Sequence, residues 1–135
     1  MTIDGLQTVP SAYDSLETSA RLARYIALHG MSLFARIDHA AGATEVGLSL
    51  RPTEVLIYGN ARGGTPLMQI DQSFGIDLPL KALIWEDERG KTWVSYYRLH
   101  SIIQPRAPNT TSLQIAAKLD SVQQQVVLYA TGELS

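Results

Sequence analysis

The sequence predicts an α+β fold, a largely antiparallel sheet with helices packed on it. Three observations carry that reading. Residues 31–38 alternate between apolar and polar, as a half-buried strand does. Two further strand patterns flank a short Asp87–Gly90 turn, which makes a hairpin. A capping-box helix follows the first strand, and a long apolar-striped helix closes the chain. The order is therefore strand, helix, two strands, helix, hairpin, helix.

Each element has a local cause. Gly5 to Val9 alternates weakly and stops at Pro10, as an edge strand would. Asp14 and Glu17 form the capping box of a helix over about 15–29, with Leu16, Ala20, Ala23, Ile26 and Ala27 on its apolar side and Gly30 beyond its end. In the next strand Met31, Leu33, Ala35 and Ile37 share one face. Asp38 can cap a short helical turn from His39 to Gly47. Glu54 to Tyr58 reads as a strand ended by Gly59 and Asn60. The stretch 59–64 reads as a loop, with Thr65 capping the following helix, Pro66 at its first position and Gly75 at its end. Leu80 to Glu86 and Thr92 to Tyr97 form the hairpin. Residues 98–108 give no clear pattern beyond a turn between Pro105 and Pro108. The last helix spans about 111–131, with Ile115, Leu119, Val122, Val126 and Tyr129 as its stripe and Gln123, Gln124 and Gln125 on the exposed side.

With 135 residues, one domain over 1–135 is expected, large enough to bury a core without disulfides or metal. A net charge of −2 and eleven scattered basic residues argue against nucleic acid as a partner. The start Met1-Thr2-Ile3-Asp4 carries no secretory pattern, and no stretch reaches the roughly 20 apolar residues of a membrane span. A cytoplasmic protein with no membrane partner is expected. The absence of cysteine removes thiolate catalysis, zinc ribbons and iron–sulfur clusters. No motif calls for a cofactor or a metal.

Several ordered stretches resemble a known family. They are Asp38-His-Ala-Ala-Gly-Ala, Leu50-Arg-Pro-Thr-Glu-Val-Leu-Ile-Tyr-Gly-Asn60, Gly64-Thr-Pro-Leu-Met68 and Gly75-Ile-Asp-Leu-Pro-Leu-Lys-Ala-Leu-Ile-Trp-Glu-Asp87. Over about residues 5–97 the chain is similar to the domain-of-unknown-function 302 family. The resemblance implies a compact sheet with helices, in a TATA-binding-protein-like arrangement, and a dimer. It implies no activity. After Tyr97 the chain reads Arg98-Leu-His-Ser-Ile-Ile-Gln and leaves the family pattern.

The polar candidates each have a plain alternative. Gly59 and Gly64 bracket a strand-to-helix loop, but Thr65 stands where a phosphate loop needs Lys, so a nucleotide triphosphatase is not supported. A weaker anion site using Asn60, Arg62 and Thr65 at the helix start competes with a tight glycine turn. Asp38, His39 and Arg51 gather at one sheet edge if their strands pair antiparallel. His39 is then either a base oriented by Asp38 or a surface residue beside a cap. Lys81 shares a face with Leu83 and Trp85. It either snorkels at the sheet margin or contacts an anion in a pocket. Trp85, Trp93, Tyr96 and Tyr97 either pack across strands or wall a pocket or interface.

The leading expectation is a dimeric module that binds a small anionic or amphipathic molecule, using Arg51, Lys81, Asn60, Arg62 and Thr65. The second is a small hydrolase or isomerase using His39 with Asp38. The third is a structural or interaction domain. From 111 to 131 only Lys118 and Asp120 are charged. Either that helix sinks between other elements, or it or the adjacent Trp93–Tyr97 strand contributes to a homodimer interface.

Overall fold

The computed structural model describes residues 4–106 and 108–133. Five strands form one fully antiparallel sheet: β1 (Leu6–Pro10), β2 (Ser32–Asp38), β3 (Thr53–Gly59), β4 (Leu80–Glu86) and β5 (Thr92–Tyr97). Their spatial order is β1-β5-β4-β3-β2. The helices are α1 (Ser15–Leu28), α2 (His39–Glu45), α3 (Ala61–Ile70), α4 (Leu99–Ile103) and α5 (Thr110–Thr131), with 3-10 turns at Gln72–Asp77 and Gln104–Arg106.

Alternation in the strands sorts the two sheet faces. Leu56, Tyr58, Ala82, Ile84 and Val94 point into the core and are fully buried, with Leu22 and Ile26 of α1 and Ala116, Val126 and Val127 of α5. On the opposite face Val55, Ile57, Leu83, Trp85 and Trp93 are only half-buried. Among the described residues no long helix covers that face. Arg21 ties α1 to α5 by donating twice to the Tyr129 carbonyl, at 3.0 and 2.9 Å.

Three sequence expectations change here. First, Leu16 is 79% exposed, and the buried side of α1 is Thr18, Ser19, Leu22 and Ile26. Ser19 is inside because its hydroxyl donates to Glu54 Oε1 at 2.5 Å and accepts from the Arg36 guanidinium at 2.5 Å. That satisfies a buried polar group and joins α1 to β2 and β3.

Second, α3 starts at Ala61. Asn60 is its cap, accepting from Gly63 N–H at 2.7 Å, so the cap lies five positions before Thr65. Pro66 consequently falls inside the helix, where it removes one main-chain hydrogen bond. The helix ends at Ile70 because Asp71 is extended and caps the next turn through Ser73.

Third, Gln123 is 2% exposed, not one of a solvated trio. The low charge of α5 reflects its packing against α1, α3 and α4. Its exposed residues are Thr110, Thr111, Gln114, Ala117, Lys118, Ser121, Gln124 and Gln125, of which Lys118 alone is charged.

Candidate functional site

The two ends of the β4–β5 hairpin differ. Pairing runs from Glu86↔Thr92 to Leu83↔Ser95 and stops there, although β4 begins at Leu80 and β5 continues to Tyr97. Antiparallel geometry says which groups this exposes. Arg98 N–H donates to the Gly5 carbonyl and Ser11 N–H to the Thr92 carbonyl, so even-numbered β5 residues turn their main-chain groups toward β1. Tyr97 then turns its own toward β4. Glu86 N–H donates to the Pro52 carbonyl, so even-numbered β4 residues face β3 and Lys81 faces β5. The Lys81 and Tyr97 main chains meet across an opening with no ladder between them.

Side chains hold this opening. Gln123 of α5 donates Nε2 to the Tyr97 carbonyl at 3.0 Å and to Asp120 Oδ1 at 3.0 Å. Asp120 also accepts from Leu99 N–H at 2.6 Å and His100 N–H at 3.0 Å, which fixes the start of α4. Leu99 and Ile103 are buried, and that anchors α4 as an end wall. Arg106 fastens the facing wall. It donates to Ser73, pairs with Asp77 at 3.4 Å and Asp71 at 3.8 Å, and stacks on Phe74 at 4.3 Å.

Around the opening lies a cleft of about 490 Å³. Its walls are largely apolar: Leu6, Val55, Leu83, Trp85, Leu99 and Ile102. Ser95 is one of its polar lining residues. Its hydroxyl accepts from Trp85 Nε1 at 2.9 Å and shares a hydrogen bond with Thr8 at 2.9 Å. Lys81 lines the cleft and is exposed, with no side-chain partner among the described residues. The Tyr96 phenol forms part of the wall, and burial, with the Asp120 charge second, pushes its pKa up. Tyr96 therefore stays neutral across the physiological range.

The other sequence candidates lie elsewhere. Asp38 faces Glu54 in the β2–β3 register, so Asp38, His39 and Arg51 do lie toward one end of the sheet. They do not form a working group. Asp38 caps α2 through Ala41 N–H at 2.9 Å, and Arg51 Nε donates to the Glu86 carbonyl at 3.3 Å. His39 is exposed, and its imidazole makes no hydrogen bond or ion pair among the described residues. Lys81 faces Ile57 while Thr53 faces Trp85, which puts Lys81 four residues, or about 13 Å along the strand, from that corner. Asn60 and Thr65 line a second cavity of about 260 Å³, with Met31, Phe34, Leu78 and Leu119. Arg62 is exposed on α3.

Sequence reasoning missed Ser95, Gln123, Asp120 and Arg106. One signal was available for Gln123. It falls in phase with Leu119, Val126 and Ala130, so it had to be buried whenever they were.

The comparisons agree with this architecture. The family described as "Domain of unknown function DUF302" matches residues 7–126, which takes in α4 and most of α5. The chain belongs to the DUF302 family. The crystal structure of an uncharacterized conserved DUF302 protein from Bacillus stearothermophilus is similar over 98% of this chain and 100% of that one, with a TM-score of 0.82. At 16% identity that likeness shows the fold alone. Relatives named "Fluoride-specific ion channel FluC 1" in Brucella suis biovar 1 (strain 1330) and Brucella abortus biovar 1 (strain 9-941) are 50% identical over 91 residues. Those residues are 67% of this chain and 36% and 34% of the relatives, so the chain spans about a third of their length. No helix among the described residues is long and apolar enough to cross a membrane.

Proposed function

We propose that this DUF302 domain is a small-molecule binding module for an amphipathic ligand, held in the cleft at the open end of the β4–β5 hairpin. The opened ladder is the observation that carries the reading. A sheet that ends its pairing early while both strands continue leaves polar main chain beside apolar surface. Ligand sites combine those two features: mostly apolar walls with a few placed polar groups. The open main chain beside Lys81 suits a polar head, and Leu83 and Trp85 suit an apolar body. Trp85 also provides a direct probe. Titration with a medium-chain fatty acid is expected to change tryptophan emission saturably and raise the unfolding temperature. If a panel of amphipathic acids, amides and alcohols leaves both unchanged, the reading fails.

Catalysis by His39 lacks support, since no carboxylate among the described residues orients it. A second copy of the chain is proposed to pack on the uncovered sheet face, where Tyr97 and Ile37 are 46% and 43% exposed. Light scattering is expected to give twice the 14.8 kDa chain mass.

The Brucella relatives favour a second functional reading. They share 91 residues with this chain, where no helix among the described residues is long and apolar enough to cross a membrane, and they are longer proteins named as fluoride-specific channels. We infer a companion role beside such a channel. Binding of this chain to a purified fluoride channel in detergent tests it, and no association at micromolar concentration removes it.

A further inference from the structure

We propose that the gap between β4 and β5 recognises a neutral carboxamide head group, which names the ligand class for the cleft and rests on the small-ligand reading above. An intact ladder would join Lys81 and Tyr97 by two main-chain hydrogen bonds, one in each direction. Gln123 satisfies one of the four groups, the Tyr97 carbonyl, with its own side-chain amide. The fold already places one carboxamide against this broken register. The Lys81 N–H, the Lys81 carbonyl and the Tyr97 N–H remain directed into the opening, and both residues line the cleft.

Two donors and one acceptor side by side select a head that both accepts and donates. A carboxamide does both. A carboxylate offers no hydrogen to the Lys81 carbonyl, and it would place its charge beside that oxygen's lone pairs. A hydroxyl donates and accepts from a single oxygen, whereas a carboxamide presents its oxygen and its N–H at separate atoms, as the two strands present their groups. The Lys81 ammonium is exposed, so water screens its pull on an anion. The ligand's tail would run along Leu83 and Trp85 on the uncovered face, close to the Ser95 hydroxyl that holds the Trp85 ring. An N-acyl or primary amide on a medium aliphatic or aromatic chain meets all of these groups.

The experiment compares octanamide, octanoate and octanol, which share a tail length, against the full chain by nitrogen–proton NMR. Octanamide is expected to bind at least about tenfold more tightly than octanol, the worth of roughly one to two net hydrogen bonds. It should also move the amide protons of Lys81 and Tyr97 downfield, and Lys81→Met should keep both effects. If octanol binds equally well and neither amide proton moves, the head-group inference is overturned while the cleft still binds amphipathic molecules. Octanoate binding tightest, and losing that advantage in Lys81→Met, also overturns it in favour of the ammonium. If none of the three binds, the ligand reading itself falls.

Discussion

The turn end of the β4–β5 hairpin is built from neighbours in sequence, and the open end from residues that lie far apart. At the turn, Asp87 Oδ1 accepts from Arg89 N–H at 2.9 Å and Lys91 N–H at 3.0 Å, and its Oδ2 accepts from Trp93 Nε1 at 2.9 Å. Gly90 supplies the left-handed residue, φ +79°, that closes the loop. Trp85 and Trp93 sit opposite each other in register and stack at 6.2 Å. At the other end the strands part, and α5, α4 and the 3-10 turn before β4 hold them through Gln123, Asp120 and Arg106. A local cluster can finish a sheet edge without help from the rest of the fold. An opening has to be propped from outside, and the props are where the cleft lies.

The largest way to break that contrast is Asp120→Ala. Asp120 accepts three hydrogen bonds, from Leu99 N–H, His100 N–H and Gln123 Nε2. At about 1 kcal/mol net for each, the substitution is expected to cost about 3 kcal/mol in urea unfolding. The cleft should lose its ligand as α4 frays. A loss near zero would mean that burial of Leu99 and Ile103 alone holds the end wall.

Arg106→Ala should act on the same end more gently. Its ion pairs are partly exposed and are worth little, while the stack on Phe74 adds some, for a total of about 1 kcal/mol. Hydrogen exchange is the sharper measurement. Amides of 99–104 should exchange faster while those of 87–93 keep their protection. Equal acceleration at both ends would show that the hairpin opens as one unit and the contrast is false.

This division also explains what the sequence disclosed. The strands, the hairpin and α1 follow from alternation, from the Asp14 cap and from turn chemistry, all of which act within a few residues. Asp38 was readable as a cap for the same reason. Residues 98–106 were opaque because their helix is five residues long and its start is capped by Asp120, twenty-one positions beyond Leu99. Arg106 has partners some thirty residues earlier. Asn60 took the cap from Thr65 because it offers an amide oxygen at the right distance, a competition that composition does not resolve. The candidate site shares this fate. Lys81, Trp85 and Tyr97 were visible as residues on strands, but the break in pairing between them depends on a glutamine in another element.

The smallest effect concerns pH, and it tests the turn end alone. In the folded chain the Asp87 carboxyl lies below its ordinary range, chiefly because Trp93 Nε1 donates to it and next because of the Lys91 N–H. An unfolded Asp titrates near pH 4. Above that value both states carry the charge and the turn's contribution is fully present. As pH falls from about 4 through the lower folded value, the unfolded chain takes up its proton first, and the contribution is lost. Asp71, near the open end, is lowered in the same direction by Ser73, so acid destabilises both ends and wild type alone cannot separate them. Asp87→Asn separates them. Its asparagine oxygen can still serve the turn N–H groups, but it carries no charge and does not titrate. The variant should unfold at a lower urea concentration than wild type above about pH 5, and the two midpoints should draw together as pH falls below about 4. Tryptophan fluorescence reads the transition where it originates, at the stacked Trp85 and Trp93. A difference that stays constant from about pH 6 to 3 would mean that Asp87 acts through its shape and not its charge, and the turn would be neutral in its energetics.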